Sequence, residues 1–513
     1  MRQGTMEGVY GPVALLTLLL SLATTTWAQL LPDTPTKPVA RIAVIGGGIG
    51  GTAAAYFLHD LFGDEVLIDL YEPNRVGGRL ATLSVMGQEY EAGGSVIHPA
   101  NQYMKHFAAQ FGLSHTTPCS ESVGLFNGED YVFTSSNVAL VDFAKLFLRY
   151  GWDVYRLQKV PASIIQDFIK IYKLQYEGQA FKDVASLLSA MSKEMLRMTQ
   201  MSTTDWLIEQ GFSSLTINEL VMSALQCNYG QTPEMHAFVG LIALAGADSN
   251  LWSVEGGNKR VAEELLKHSR ASLLRRHVDQ VARSISTSSK FVVWSHEPVE
   301  PMEVQVAAMA PKDGEQKNKG IQREQEYDAV ILATPLTQDN TKIQLVNFTQ
   351  QFSFFGHYEP IETTIVRGVV RPESLMLNDD EMLDNILVIN PRLMFNSFGR
   401  QQPVKGRKCD QETVGVWKIF SPHKISEDQL DIFFQSREVT HTVSWLAYPH
   451  YSTNQTLGDF ELAPGLYYLN AIEWAGSAME MSVIGAKNVA LLAYKQWKND
   501  PDAGKKPPVK EEL

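Results

Sequence analysis

A run of glycines between an apolar strand and an alanine-rich helix constrains this chain more than any other feature. The segment RIAVIGGGIGGTAAAYFLHD, residues 41–60, contains the pattern G-x-G-x-x-G at Gly46, Gly48 and Gly51. In such a turn the first glycine permits a tight bend, the second lets a pyrophosphate approach the backbone, and the third lets the helix pack on the strand. The apolar stretch EVLIDLYE follows, so the context of a dinucleotide-binding βαβ unit is complete.

The end of the second apolar stretch supplies a carboxylate suited to a nucleotide. Glu72 follows the glycine pattern at the interval of roughly 20 residues where an acidic side chain accepts hydrogen bonds from an adenosine ribose. Such a carboxylate also repels the additional phosphate of NADP. The pyrophosphate is expected at the N-terminus of the helix, where free N–H groups and the helix dipole favour anions. The cofactor contacts predicted here are Gly46, Gly48, Gly50, Gly51 and Glu72.

Two further glycine turns favour FAD over NAD as the cofactor. The stretch RVGGRLATLS follows the ribose carboxylate directly, and a fixed arginine beside a glycine turn is suited to clamping a phosphate. The stretch YEAGGSVIHP again frees the backbone for close approach. A nicotinamide enzyme has no obvious need of these turns, whereas a flat isoalloxazine ring lying against the main chain does. The predicted contacts in these turns are Gly78, Arg79, Gly93, Gly94 and Ser95.

With these motifs the chain resembles the flavin amine oxidase superfamily and, more closely, the prenylcysteine oxidase family. The superfamily pattern combines G-x-G-x-x-G, G-G-R and G-G-S with a late Met-Glu pair before a closing helix, all present here. The closer resemblance rests on VGGRLATLSVMGQEYEAGGSVIHP, AFVGLIALAGADSNLWSVEGGNK, WLAYPHY and YYLNAIEW, and it covers residues 40–498. The further cofactor contacts that the resemblance implies are Val278, Glu473, Met479, Glu480 and Met481.

The resemblance implies an FAD-dependent thioether oxidase that acts in the degradation of prenylated proteins. Such an enzyme converts farnesyl- or geranylgeranyl-cysteine, with O2 and water, to cysteine, a prenyl aldehyde and hydrogen peroxide. The segments EAGGSVIHP and SAMEMS are more similar to the enzymes, whereas IEW at 472–474 is more similar to prenylcysteine oxidase-like proteins. Two alternatives stay open: a flavin amine or polyamine oxidase, and a non-catalytic flavin- or lipid-binding member.

His98 is the candidate catalytic residue, because it is the titratable side chain nearest in sequence to the expected flavin face. Its predicted role is proton transfer, and the alternative is a hydrogen-bonded histidine that packs under the ring. Hydride removal from the carbon attached to sulfur is chemistry of the cofactor. The sequence therefore needs no strong base or nucleophile, and no other catalytic residue is predicted.

The order of elements predicts an α/β fold: an FAD-binding Rossmann-like domain with an inserted α+β substrate domain, as in flavin amine oxidases. Residues 140–176 have helical periodicity, 465–474 form a strand and 482–497 a closing helix. Residues 312–326 form a polar hairpin or loop between two apolar strands at 303–310 and 327–335. The predicted divisions are a signal peptide at 1–28, an FAD-binding domain at 40–100, 250–336 and 462–498, a substrate domain at 101–249 and 337–461, and a disordered tail at 499–513.

The N-terminal segment predicts entry into the secretory pathway. GPVALLTLLLSLATTTWA is a short apolar run that ends in small residues, which is typical of a cleaved signal peptide; an uncleaved signal anchor is the alternative. The sequons NFT at Asn347 and NQT at Asn454 are predicted glycosylation sites. Together with the resemblance these features favour the lysosome, with the endoplasmic reticulum lumen or secretion as alternatives.

Charge and cysteine content limit the partners that the sequence predicts. The net charge of −13 argues against nucleic acid, which needs a basic surface. Cys119, Cys227 and Cys409 have no zinc-type spacing, so no metal centre is predicted, and three buried free thiols are favoured over one disulfide. Basic residues outnumber acidic ones between residues 140 and 175. These helices are predicted to line an apolar tunnel and to contact acidic membrane surfaces peripherally, or else to be ordinary solvated amphipathic helices.

Overall fold

The computed structural model describes ten stretches of the chain: residues 39–117, 119, 122–136, 138–247, 250–287, 290–298, 322–340, 342–378, 382–407 and 413–499. The predicted signal peptide, the apolar strand expected at 303–310 and nearly all of the predicted tail lie outside these residues. Among the described helices, none combines the length and apolarity needed to cross a bilayer.

A six-stranded, mainly parallel sheet contains the glycine turn. In spatial order its strands are Glu461–Ala463, Leu466–Tyr468, Ala329–Leu332, Ala40–Ile45, Val66–Tyr71 and Ser272–Leu274. The central strand Ala40–Ile45 pairs in parallel with both of its neighbours. Its side chains are buried almost without interruption, as expected for a parallel strand that is covered on both faces.

Helices pack on this sheet around Ile49–Phe62, the helix that follows the glycine turn. Its alanines at positions 53, 54 and 55 are fully buried, so the helix lies close to the strands. The closing helix Met479–Asn499 and the helix Lys259–Ser269 both contact it. The predicted strand–turn–helix–strand unit is confirmed, and the predicted closing helix is present and slightly longer than expected.

A four-stranded sheet lies beside the first. Its strands in spatial order are Gln322–Tyr327, Phe291–His296, His277–Arg283 and Gln344–Val346. Of the predicted hairpin or loop over 312–326, the loop alternative is wrong for the described end, because Gln322–Tyr327 pairs antiparallel with Phe291–His296 over its whole length. Most side chains of this polar edge strand are exposed, which hid the strand from a reading of hydrophobicity.

A seven-stranded sheet forms the second large layer. Its strands in spatial order are Phe434–Pro449, Tyr358–Val370, Gly415–Ser421, Ser397–Gln401, Asn385–Val388, Val123–Phe126 and Tyr131–Thr134. The two longest strands, Tyr358–Val370 and Phe434–Pro449, form one antiparallel ladder. A separate aromatic core on this sheet includes Phe398, Trp417 and Phe434.

Short helices connect the sheets. The α-helices not yet given are Gln102–Gln110, Ala139–Tyr150, Asp153–Phe168, Lys170–Tyr176, Val184–Met191, Lys193–Met198, Thr203–Glu209, Ser214–Thr216, Met222–Tyr229, Ala237–Ala245 and Glu427–Phe433, with a π-helical turn at Ile217–Val221. The 3-10 turns are Gly63–Glu65, Pro372–Leu375 and Leu469–Trp474, and the short paired strands are Thr82–Val85 with Gln88–Glu91 and His115–Thr116 with Ser253–Val254. The strand predicted at 465–474 is wrong in its second half, which is the 3-10 turn Leu469–Trp474.

Two elements cross the predicted domain boundaries. The strand Gln344–Val346, assigned from sequence to the substrate domain, pairs with His277–Arg283 of the four-stranded sheet. The helix Gln102–Gln110, assigned likewise, packs on the helices beside the glycine turn through the buried ring of Phe107. Sequence periodicity places such elements locally but does not show which sheet or helix layer they join.

The prediction of three free thiols is wrong. Cys119 takes part in a disulfide, whereas Cys227 is free. Burial raises the pKa of the Cys227 thiol, which makes that side chain a poor nucleophile.

Candidate functional site

The first glycine turn is built so closely that side chains are excluded from it. Gly46 has φ +116°, and a Cβ added at Gly51 would lie 1.9 Å from the carbonyl oxygen of Gly46. Gly48 differs, because the nearest heavy atom to a Cβ there is Gly78 Cα at 3.9 Å. The space above Gly48 is therefore not needed for packing, and it is free for a bound molecule.

The N-terminus of Ile49–Phe62 carries donors without a side-chain cap. Its N-cap residue is Gly48, no side chain caps the helix, and the first turn contains no acidic residue. Uncapped N–H groups at the positive end of a helix dipole form an anion site. The second glycine turn lies against the first, since the Gly77 amide donates to the Gly47 carbonyl at 2.9 Å. This arrangement fits a pyrophosphate between the two turns.

Glu72 lies where the ribose carboxylate is predicted. Its side chain accepts hydrogen bonds from the amides of Gly47, at 2.9 Å, and Asn74, at 2.8 Å. Burial raises the pKa of Glu72, although these two hydrogen bonds oppose the shift. The carboxylate is thus held beside the glycine turn, where an adenosine ribose would compete for its oxygens.

Arg79 faces a buried carboxylate, and its predicted phosphate contact stays a prediction. Its guanidinium forms an ion pair with Glu473 and donates to the carbonyl of Ala447 at 2.7 Å. Burial alone would lower the pKa of Arg79, but the carboxylate of Glu473 outweighs this effect and raises the pKa. Glu473 also accepts from Tyr358 Oη at 2.8 Å. The pair ties the second glycine turn to the 3-10 turn that ends at Trp474.

The third glycine turn, at Gly93 and Gly94, is held by buried hydrogen bonds of Asn258, which are called the latch below. The side chain of Asn258 donates to the carbonyl of Gly94 at 3.0 Å, and its backbone amide donates to Glu91 Oε1 at 2.7 Å. The other carboxylate oxygen of Glu91 is buried and has no hydrogen-bond partner among the residues that the structure describes. Burial raises the pKa of Glu91 to about 7, so this carboxyl group holds a proton under mildly acidic conditions.

Replacing Glu91 by glutamine is expected to remove a pH dependence of stability. With its pKa raised from 4.5 to about 7, the folded protein keeps a proton on Glu91 that the unfolded chain has released. The contribution of this group to the free energy of unfolding is fully present below pH 4.5, and it falls by about 2 kcal/mol as the pH rises from about 5 to about 8. Urea unfolding at both pH values measures the loss, and Glu91→Gln should lack it.

The control for this pH dependence lies on the same strand. Glu89 is half exposed beside Lys259, and although burial opposes it, hydrogen bonds from Lys259 and Thr82 lower the pKa of Glu89. Glu89→Gln should therefore keep the decrease in stability that Glu91 causes. An equal decrease in the wild type and in Glu91→Gln would show that Glu91 does not hold the proton.

One cavity of about 330 Å³ joins the glycine turns to an apolar wall. At one end it is lined by predicted site residues, namely Arg79, Gly93, Gly94, Ser95, His98, Met479, Glu480 and Met481. The apolar lining comes from two helices, from the seven-stranded sheet and from Leu251 outside these elements. The helix and sheet residues are Pro161, Ile164, Ile165, Phe168, Phe238, Leu241, Ile242, Ile361, Phe420, Trp445 and Tyr448. The cavity can therefore receive a molecule that has a polar head and a long apolar chain.

His98 lines this cavity. Its Nδ1 accepts a hydrogen bond from the backbone amide of Ala100 at 3.0 Å, so the neutral ring carries its proton on Nε2. This geometry fits both sequence interpretations, a proton donor at Nε2 and a hydrogen-bonded histidine packed beside a ring.

Glu480 lines the cavity but also has a structural role. Its carboxylate accepts from the amides of Tyr103 and Met104, which open the helix Gln102–Gln110, and from Tyr172 Oη at 2.7 Å. Burial raises the pKa of Glu480 to about 7. Its neighbours Met479 and Met481 line the same end of the cavity. Val278 lies half-buried on the strand His277–Arg283 of the four-stranded sheet.

Comparison with known families shows which family the chain belongs to. A family profile described as prenylcysteine lyase matches residues 133–505, more than half of the chain. The chain belongs to the prenylcysteine lyase family. A second profile, described as an NAD(P)-binding Rossmann-like domain, matches residues 44–111 and thus the first glycine turn.

Individual relatives of the family match along nearly the whole chain. Prenylcysteine oxidase 1 of Bos taurus is 38% identical over 474 residues, 90% of each protein. Prenylcysteine oxidase 1 of Homo sapiens is 38% identical over 91% of each. Prenylcysteine oxidase 1-like of Homo sapiens is 34% identical over 91% of this chain and 92% of that protein. The predicted family resemblance is confirmed.

Solved structures with the same fold include amine oxidases by their titles. Cyclohexylamine oxidase from Brevibacterium oxydans superposes with a TM-score of 0.54 at 13% identity, covering 90% of this chain and all of that one. Putrescine oxidase bound to putrescine superposes with a TM-score of 0.52 at 14% identity, covering 88% of this chain and 98% of that one. At these identities the likeness concerns the fold, and it confirms the predicted α/β class.

Sequence reasoning missed several residues that build the site of this family member. The wall formed by Ile361, Phe420 and Trp445 comes from three strands that are far apart in sequence. The alternation of side chains along a strand could have identified an inward face in WLAYPHY, but not the partner of that face. The latch between Asn258 and Glu91 joins residues that no short motif connects.

Proposed function

We propose that this chain is an FAD-dependent oxidase that cleaves S-prenyl-L-cysteine, carrying a farnesyl or geranylgeranyl group, in the degradation of prenylated proteins. The reaction consumes O2 and water and yields cysteine, the prenyl aldehyde and hydrogen peroxide. The observation that carries this proposal is the single cavity that runs from the glycine turns to an apolar wall. The names of the 38%-identical relatives support the same substrate.

The residues present fit FAD. The uncapped helix N-terminus at Gly48 receives the pyrophosphate, Glu72 receives the ribose, and the turn at Gly93 and Gly94 leaves room for the isoalloxazine ring. FAD bound by these residues would supply a hydride acceptor for the prenyl carbon attached to sulfur and a route for the two electrons to O2. The protein contributes orientation and surroundings to this chemistry.

The apolar wall of the cavity binds the prenyl chain. Pro161, Ile164 and Phe168 lie along one helix, and Leu241 and Ile242 lie on another. Burial of a branched hydrocarbon against such side chains contributes about 25 cal/mol per Å² of apolar surface. It also keeps bulk water from the reacting carbon, so that the polar head stays at the glycine-turn end near His98.

The test is the absorption spectrum of the purified holoenzyme before and after anaerobic addition of farnesylcysteine, with hydrogen peroxide measured after air is admitted. We expect bleaching of the flavin bands with farnesylcysteine and peroxide formation that exceeds a substrate-free control. Spermine serves as the comparison. Bleaching by spermine alone would favour an amine oxidase, and a flavin that no substrate reduces would favour a non-catalytic binding protein.

Peripheral contact with membranes is part of the proposal. The exposed apolar surface, as we name it, consists of Val138, Leu140, Val141, Phe143, Leu148, Trp152 and Tyr155. Leu148 is 86% and Leu140 is 77% exposed on the same face of the helix Ala139–Tyr150. The next helix, Asp153–Phe168, lines the cavity, so a prenyl chain in a bilayer would lie close to its binding site.

The charges around this surface give it a modest preference for acidic lipids. Arg149 is neutralised by Glu219, and Lys170 by Asp167. Lys145 donates to the carbonyl of Thr134, and Lys159 lies 5.4 Å from the ring of Tyr155, so neither of these contacts is with a carboxylate. Insertion of apolar side chains is therefore the main contribution to binding.

Replacing Leu140 and Leu148 by glutamate is expected to weaken binding to vesicles that contain acidic phospholipid. Each leucine loses about 1.5–3 kcal/mol of apolar burial, which corresponds to at least about tenfold in affinity per residue. Vesicle flotation measures the bound fraction. The matched control is Ile432→Glu, which changes an exposed isoleucine on a helix of the seven-stranded sheet and should float like the wild type.

We further propose the lysosome, reached through the secretory pathway, as the location, with the endoplasmic reticulum lumen or secretion as alternatives. The apolar N-terminal segment, the disulfide at Cys119 and the exposure of both sequon asparagines, Asn347 and Asn454, support this route. The expected modification is an N-glycan at each asparagine. Enzymatic removal of N-glycans should lower the mass of the purified protein, and an unchanged mass would argue against the route.

A further inference from the structure

A cluster of three potential metal ligands lies at one end of the long ladder of the seven-stranded sheet. His357 and Glu359 are two residues apart at the start of the strand Tyr358–Val370, and His450 follows the strand Phe434–Pro449. The amide of His450 donates to the carbonyl of His357 at 2.9 Å, so the backbone sets the two histidines opposite one another. This backbone hydrogen bond holds the two imidazole groups and the carboxylate of Glu359 at the same end of the ladder.

The side chains of the cluster converge on one point. The ligand atoms of the three residues lie within 4.8 Å of one another. Glu359 Oε1 lies 2.5 Å from His450 Nδ1 and 4.0 Å from His357 Nε2. The two imidazole rings are stacked, with 4.8 Å between their centroids. A tetrahedral Zn²⁺ holds its ligand atoms roughly 3.3 Å apart, so small side-chain rotations suffice to admit the ion.

The donor set suits zinc better than Ca²⁺ or Mg²⁺. Two imidazole nitrogens and one carboxylate oxygen are typical zinc ligands, whereas Ca²⁺ and Mg²⁺ prefer oxygen ligands alone. The side chain of His357 is 55% exposed, that of His450 47% and that of Glu359 24%, so the ion can enter from solvent. Three protein ligands leave one position of a tetrahedron for water.

We propose that His357, Glu359 and His450 form a zinc-binding site with one position open to water. The site is separate from the predicted cofactor site and revises the expectation, drawn from cysteine spacing, that the chain has no metal centre. Two residues close in sequence to the zinc ligands connect the zinc site to the cofactor site. Tyr358 donates a hydrogen bond to Glu473, and Tyr448 lines the cavity. Zinc at the end of the ladder would stiffen both strands beside the cavity.

Zinc binding to the holoenzyme tests the site. After dialysis against a chelator, calorimetric titration with ZnCl2 should show one site of micromolar affinity, and zinc should raise the melting temperature. His357→Gln and His450→Gln should each weaken binding by at least about tenfold and abolish the rise in melting temperature. The control is His441→Gln, which changes an exposed histidine on the strand Phe434–Pro449 that precedes His450 and should bind zinc like the wild type.

Two results would overturn the proposal. One is the absence of zinc binding to the wild-type holoenzyme in the micromolar range. The other is binding of equal affinity and stoichiometry in the wild type, His357→Gln and His450→Gln, which would place the ion elsewhere. Because these side chains are exposed, the variants should retain bound flavin, and the flavin spectrum of each one checks that it is folded.

Discussion

Replacing Gly48 by alanine is expected to give a folded protein that contains little or no flavin. The added Cβ would meet no heavy atom of the protein closer than 3.9 Å, so the fold should tolerate it. The same methyl group would occupy the space over which a pyrophosphate approaches the backbone. The ratio of flavin to protein absorbance in the purified variant measures the effect, and circular dichroism checks the fold.

The matched control for this variant is at the other end of the same helix. Gly63 ends Ile49–Phe62 with φ +59°, and a Cβ there would meet nothing within 4 Å. Gly63→Ala should cost about 1 kcal/mol of stability because of its backbone conformation and should retain its flavin. A fully flavinated Gly48→Ala protein would contradict the pyrophosphate position and, with it, the cofactor site.

Replacing Glu473 by glutamine is expected to destabilise the protein by about 3 kcal/mol, near the lower end of the cost of breaking a buried ion pair. The carboxylate is 1% exposed and the Arg79 side chain is 31% exposed, so the guanidinium would lose its carboxylate partner while it remains largely desolvated. Glutamine keeps the volume and can still contact Tyr358 and Asn470. Urea unfolding of the holoenzyme measures the change.

A surface ion pair provides the comparison for Glu473. Arg197 and Glu209 are both about half exposed, so Glu209→Gln should change the stability by less than about 0.5 kcal/mol. The double variant Arg79→Met, Glu473→Gln should recover part of the lost stability, because it leaves no unpaired charge behind. A cost of less than about 1 kcal/mol for Glu473→Gln alone would show that the pair is not effectively buried.

Tertiary structure adds partners to two residues that sequence motifs had singled out. Arg79 follows a glycine pair, which predicts a phosphate contact, yet its guanidinium binds a carboxylate that lies almost 400 positions later in the chain. Glu480 belongs to a motif associated with the cofactor, and it also caps the helix Gln102–Gln110 through two backbone amides. Neither partner is visible in the sequence, because the contacts depend on how distant elements pack.

Local sequence patterns were sufficient to predict a structure where one short segment contains all the residues that form it. The strand, the glycine turn, the helix and Glu72 follow one another within residues 40–72, and backbone sterics together with the helix dipole define their structure. By contrast, the apolar wall of the cavity, the latch between Asn258 and Glu91, and the cluster at His357 and His450 depend on pairing between distant strands and loops. The sequence by itself thus determined the nucleotide-binding unit and the family, and only the tertiary structure decided what faces it, since long-range packing leaves no periodic signal in the chain.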